Sequence, residues 1–162
     1  MSRFISIDYS AIDIILTELQ GISDRASDLK PVASLVALVI SSYTDDVFAN
    51  APRTESGGTA SNGFAWDRLK DSTLNARGGR RRNGQILRDT GALLNSLQSS
   101  SATTFSPRSA ANFFQAGSDF IEFGTNLPQG FNNNTRPFLA HTDSLSTLVE
   151  KAIENYILTG ET

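Results

Sequence analysis

Residues Phe113 to Leu139 read FFQAGSDFIEFGTNLPQGFNNNTRPFL, and the folding of this stretch decides how the rest of the chain is organised. It contains two dense words, Phe120-Ile121-Glu122-Phe123-Gly124-Thr125 and Arg136-Pro137-Phe138-Leu139. A lone acid is embedded among apolar side chains in the first, and a lone base precedes them in the second. Gly124, directly after Phe123, predicts a tight turn, because glycine tolerates positive φ. Pro137 fixes its own φ and pushes Arg136 towards an extended conformation. The expected picture is two rigid pieces side by side, with a mobile Pro/Gly/Asn loop between them and Glu122 paired with Arg136. A plain structural turn with two core aromatics is the alternative.

Working outward towards the C-terminus, Leu145, Leu148, Val149, Ala152, Ile153, Tyr156 and Ile157 recur at helical spacing. Thr142 or Asp143 is expected to cap this helix and Gly160 to end it. Towards the N-terminus, Asn112–Ala116 reads as the return strand of a hairpin whose first strand is Ser99–Phe105, with a turn at Ser106–Ser109. Before that, Asp89 or Thr90 would cap a short helix that turns Leu93, Leu94 and Leu97 inward.

Residues 49–83 hold the least regular pattern. Glu55-Ser56-Gly57-Gly58-Thr59-Ala60-Ser61-Asn62-Gly63 is turn and linker chemistry. The chain's single Trp, Trp66, is expected to pack this loop on the core or to anchor it in a neighbour. A short helix within Asp67–Asn75 would point Leu69 inward. Arg77, Arg80, Arg81 and Arg82 stand among glycines and asparagine as a flexible positive finger. It lacks the GK[ST] ending of a phosphate-binding loop. A solvated loop is one reading, and contact with an acidic protein surface or with DNA phosphates is the other.

The N-terminal third predicts two helices. Ile12, Ile15, Leu16 and Leu19 define one face of a helix from Asp8 to Gly21, with Gly21 as its C-terminal cap. Ser23–Lys30 reads as a polar connector. Pro31 opens a second helix reaching about Phe48, with Val32, Leu35, Val36, Val39, Ile40, Tyr43 and Val47 on a broad apolar face. The Val-rich run at 32–40 keeps a buried strand as the alternative, but the length of the period favours a helix.

Bulk properties fit one α+β domain over residues 1–162, with helices against a small antiparallel sheet and a long extended middle loop at 51–84. A chain of 162 residues buries roughly 70% of its unfolded surface, enough for a core without staples. Cysteine is absent, which excludes disulfides, thiolate metal sites and a cysteine nucleophile. No continuous apolar run of membrane-spanning length is present and the N-terminus lacks signal-peptide features, so neither a membrane partner nor a leader is expected. The net charge of -3 is unevenly spread: residues 51–90 carry eight bases and four acids, whereas residues 1–50 carry three bases and seven acids. His141 stands alone beside a helix cap, and no His/Asp/Glu set has metal-ligand spacing. No catalytic residue, cofactor or metal is therefore expected.

The words occur in an order that resembles a known family. A long apolar helix ends at Val47-Phe48, and a Pro/Gly loop leads to Trp66, Leu69 and Thr73. A basic stretch precedes Ile86-Leu87-Arg88-Asp89-Thr90-Gly91-Ala92-Leu93, and then come FIEFGT, RPFL and the last helix. Over about residues 30–158 this is similar to the phage virion-morphogenesis and tail-completion family, the small neck and tail-terminator proteins of tailed phages. Two departures are Asp119-Phe120, where Tyr-Ala often stands, and the Asn-rich loop at 126–135. The resemblance implies an α+β structural protein of the virion head–tail junction, assembled in the host cytoplasm, with no enzyme activity. It would be a tail terminator or completion protein whose ring, commonly a hexamer, caps the tail tube and joins it to the neck. A neck or head–tail connector protein, and a small DNA-binding module, are the alternatives. Implied partners are copies of the same chain, tail-tube and neck proteins, and DNA in passing. Expected assembly residues are Trp66, Arg77, Arg80, Arg81, Arg82, Glu122, Phe123, Gly124, Arg136, Pro137 and Phe138.

Overall fold

A computed structural model describes residues 10–76, 81–88, 91–97 and 112–162. The architecture is α+β: helices pack with two small antiparallel two-stranded sheets. In chain order the elements are α1 (Ser10–Ser27), α2 (Ala33–Ala49), β1 (Gly58–Thr59), β2 (Ala65–Trp66) and α3 (Asp71–Asn75). Then follow α4 (Ala92–Leu97), β3 (Asn112–Ala116), β4 (Ile121–Thr125) and α5 (Asp143–Thr159). A single 3-10 turn occupies Lys30–Val32, and a longer 3-10 segment occupies Pro128–Asn134.

Helix α2 is the spine. Pro31 sits in the 3-10 turn that leads into it, as a residue without an N–H can. Its N-terminal half buries Val36, next to Val32 of that turn, against Tyr156 of α5, with Val149, Ile153 and Ile157 packed around them. Its C-terminal half buries Val47 and Phe48 in a second cluster with Trp66, Ile86, Leu93, Leu97 and Phe138. Phe48 and Phe138 meet edge-to-face with ring centroids 5.5 Å apart. By length and composition Lys30–Ala49 is apolar enough to cross a membrane. In this fold it is the core helix, and its buried hydroxyls are satisfied within the protein. Ser41 donates to the Leu97 carbonyl at 3.0 Å, and Thr44 to the Ile40 carbonyl at 2.7 Å.

Helix α5 ends where local chemistry says it should. The Thr142 hydroxyl accepts from the Leu145 N–H at 3.2 Å, and Gly160 takes φ +79°, donating to the Tyr156 carbonyl at 2.8 Å. Helix α1 does not end at Gly21. It continues to Ser27 through the segment expected to be a connector, and Gly21 keeps a negative φ. A mid-helix glycine costs about 1 kcal/mol relative to alanine. The offsetting contact is tertiary. Arg25 reaches the end of α5, its Nε donating to the Ile157 carbonyl at 2.7 Å and its Nη2 to the Leu158 carbonyl at 3.1 Å. A Cβ at Gly21 would press on that guanidinium at 3.3 Å. Asp8, the expected first residue of this helix, lies outside the described residues.

The β3–β4 hairpin pairs Asn112 with Thr125 through to Ala116 with Ile121. Asn112–Ala116 is thus a strand as expected, and its described partner is the FIEFGT word itself. The expected first strand at 99–105 and its turn at 106–109 lie outside the described residues. Gly124 is a strand residue opposite Phe113 and not a turn. The turn of this hairpin is at Gly117, whose N–H donates to the Phe120 carbonyl at 2.9 Å. The Pro128–Asn134 segment, expected as a mobile loop, is 3-10 helical and brackets the second word. Asn133 Oδ1 accepts from the Phe138 and Leu139 N–H groups, both at 2.9 Å, and its Nδ2 donates to the Leu139 carbonyl at 2.9 Å.

The middle segment has few regular residues, but it lies against the body and closes on itself. Pro52 and Thr54 bond Ile86 and Gly84 through the backbone, and the Thr54 hydroxyl donates to the Arg81 carbonyl at 2.7 Å. Gly57 requires its φ of +66°, because a Cβ there would sit 2.6 Å from the Trp66 carbonyl oxygen and 2.7 Å from the Arg68 nitrogen. Asn62 Nδ2 donates to the Pro137 carbonyl at 2.7 Å, tying the segment to the RPFL word. The expected short helix begins only at Asp71, so its inward residue is Leu74, and Leu69, ahead of it, is half-buried.

Candidate functional site

The aromatic members of the expected assembly set are core residues. Trp66 is 1% exposed and Phe138 is equally buried, and both belong to the cluster that Phe123 packs against. Trp66 therefore packs the middle segment on its own subunit and is not available to a neighbour. Gly124 is buried, and Pro137 is half-buried between the Asn62 and Asn133 contacts. The two words do meet: residues of both line a shallow depression of about 580 Å³ floored by Phe138 and Leu139.

Glu122 and Arg136 do not pair. Strand alternation puts Glu122 on the outer face of β4, opposite exposed Gln115, while Ile121 and Phe123 turn inward. Arg136 instead sends Nη2 to the Asp67 carbonyl at 3.2 Å, and its Nε is buried with no hydrogen-bond partner. Arg82 is held within the subunit by Glu55 Oε1 at 3.1 Å and Asn75 Oδ1 at 2.6 Å. It is not a projecting tip. Arg77 and Arg80 lie outside the described residues, as do the expected caps Asp89 and Thr90.

Arg81 and Arg136 enter one cleft of about 510 Å³, which the sequence pattern did not reveal. Four segments build it: Thr54, the stretch from Leu69 through the first turn of α3, residues within 81–88 with Leu93, and the 3-10 segment with Arg136. Its apolar floor is Ile86 and Leu93, both buried, with Leu69 and Leu87 half-buried. Its walls carry Lys70, Arg81, Arg88 and Arg136, and no acid among the described lining residues. Leu87 holds φ +67°, a left-handed conformation unfavourable to a branched side chain by about 1–3 kcal/mol.

The charge arrangement is selective. Outside the cleft, Arg68 pairs with Asp71 at 3.0 Å and Arg82 with Glu55. Inside it, Arg88 bonds the neutral Gln85 Oε1 at 2.8 Å and Arg136 a neutral carbonyl. Lys70 has no carboxylate partner among the described residues. Lys70, Arg88 and Arg136, which meet no carboxylate among the described residues, give this side of the recess a positive field, which favours an anionic, partly apolar group. Lys70 and Arg88 were not singled out from the sequence. A base every few residues is ordinary, and only folding shows which bases meet no carboxylate among the described residues.

A second surface is equally incomplete. Residues 13–20 of α1 are all exposed, among them Ile14 at 60%, Ile15 at 54%, Leu16 at 58% and Leu19 at 56%. No described part of the subunit covers this face of α1. The acids Asp13, Glu18 and Asp24 lie on the same helix, and its one base, Arg25, is turned onto α5.

His141 is exposed, its Nε2 within 2.9 Å of the Ser146 hydroxyl. Among the described residues no group of three His, Asp or Glu side chains is placed to hold a metal ion. Comparison with models of known protein families, with curated proteins and with solved structures finds no match to this chain.

Proposed function

We propose that this protein is a structural, non-enzymatic subunit of the head–tail junction of a tailed phage. In this reading it is a tail-completion or tail-terminator protein, forming a ring that caps the tail tube and joins it to the neck. The resemblance of the FIEFGT and RPFL words to the tail-completion family supports this reading. The observation that carries it is the pairing of two unlike incomplete surfaces on one small subunit: a basic recess, and an acidic helix with uncovered aliphatic side chains. Unlike surfaces on one chain suit heterologous contacts, which close into a ring when the rotation divides a circle. The tail tube and neck proteins would then meet the faces of that ring.

Native mass spectrometry with negative-stain imaging of the purified protein tests the reading. Closed rings of one subunit number are expected. A small DNA-binding module is the reading that the basic recess alone would favour. It requires tight duplex binding by a monomer at physiological salt, with log affinity falling steeply against log salt. A protein that is monomeric and binds duplex in that way is not a ring subunit.

A further inference from the structure

We infer that α1 of one copy docks in the Lys70–Arg88–Arg136 cleft of the next copy, making the head-to-tail joint of the assembly; this rests on the ring reading above. Consecutive helical residues lie about 100° apart. Ile15, Leu16 and Leu19 therefore share one stripe, with Glu18 on one flank and Asp13 and Asp24 on the other. The helix offers an apolar stripe bordered by acids. The cleft offers the half-buried side chains of Leu69 and Leu87 over a buried Ile86 and Leu93, bordered by bases. The two surfaces match in both polarity and charge, as required of a helix lying in a groove.

Two observations send the helix to another copy. No described residue of α1, α2 or α5 lines the cleft, and Arg25 fastens the C-terminal end of α1 to the end of α5. The exposed turns at 13–20 are thus committed to the α5 side of their own subunit. Short helices without tertiary cover are marginal in water, so those turns need a partner to persist. A free membrane surface is a poorer match: an anionic bilayer would repel Asp13, Glu18 and Asp24.

The test uses full-length protein and two variants, Leu16→Glu/Leu19→Glu in α1 and Lys70→Glu/Arg88→Glu in the cleft. Each is expected to weaken self-association roughly tenfold or more, read by native mass and sedimentation. Mixing the two variants is the decisive arm. One retains a working cleft and the other a working α1, so together they should form 1:1 pairs and no rings. The single exchange Glu18→Arg should weaken association, and adding Arg88→Glu should restore part of it. Rings of wild-type size from both variants would overturn this joint while leaving the ring reading intact. Wild-type protein that stays monomeric would overturn both. Mixed variants that fail to pair, although wild type associates, would assign α1 to a symmetric α1–α1 contact. Binding of wild type to phosphatidylcholine vesicles without self-association would assign it to a bilayer.

Discussion

Helix α1 and the 51–84 segment exchange the roles their compositions suggest. The segment is rich in Gly, Ser and Asn, yet it supplies Trp66, Ala60 and Ala51 to the main cluster. Helix α1 has a regular aliphatic stripe, yet Ile15, Leu16 and Leu19 are each more than half exposed. The difference teaches that periodicity reports the existence of an apolar face and not what covers it. Glycine content reports irregular backbone and not exposure. Gly57 makes the point locally, since its positive φ lets the chain turn tightly enough to bring the Trp66 backbone alongside.

The sharpest way to break the comparison is to empty the irregular segment of its anchor. Trp66→Ala should destabilise the subunit by about 3–5 kcal/mol, the range for large aromatic truncations in a packed core. Urea unfolding with tertiary and secondary probes would measure it, and a loss below 1 kcal/mol would mean that the segment is peripheral. Trp66→Phe should cost far less than Ala. It retains most of the ring packing and removes a buried indole N–H that has no acceptor. Gly57→Ala should cost about 1–3 kcal/mol, because both the positive φ and the collision with backbone atoms oppose a Cβ. A wild-type midpoint for Gly57→Ala would show that the tight approach of 57 to 66–68 is absent in solution.

Legibility from sequence followed the range of the interactions. The ends of α5 were readable because a Thr cap and a left-handed Gly are decided within a few residues. The second helix, the inward Leu93 and Leu97, and strand Asn112–Ala116 were readable from pattern. Gly21 misled as a cap, because Arg25 finds carbonyls 132 and 133 residues away, outside any local window. The Glu122–Arg136 pair failed for two reasons: strand parity, and the competing Asp67 carbonyl. The cleft was half visible. Arg81 and Arg136 were singled out, but Lys70 and Arg88 became distinctive only once Asp71 and Glu55 proved to be engaged by Arg68 and Arg82.

A smaller effect probes how the Pro128–Asn134 segment brackets the RPFL word. Asn133→Ala removes three side-chain hydrogen bonds and strips partners from the Phe138 and Leu139 N–H groups. Loss of stability should be about 1–3 kcal/mol, set by the backbone groups left unsatisfied. Asn133→Asp keeps the acceptor and loses the donor, so it should fall between wild type and Ala. Equal losses for Asp and Ala would mean that the acceptor bonds are not the source of the effect.

The smallest effect on subunit stability is expected where the sequence pattern looks most core-like. Leu16→Ser/Leu19→Ser changes two large aliphatic residues, a substitution that in a packed core would cost several kcal/mol. Here both side chains face solvent, and surface changes of this kind stay within about 0.5 kcal/mol. A modest loss of helix propensity, a few tenths of a kcal/mol at each site, is the main expected term. Concentration sharpens the measurement. In dilute protein, where the subunit is free, the variant and wild type should unfold together. As concentration rises, wild type should gain apparent stability by mass action while the variant lags, since the partner binds only the folded state. A gap of several kcal/mol that is already present in dilute protein, and constant with concentration, would place the α1 stripe in the subunit's own core and restore the ordinary meaning of its periodicity.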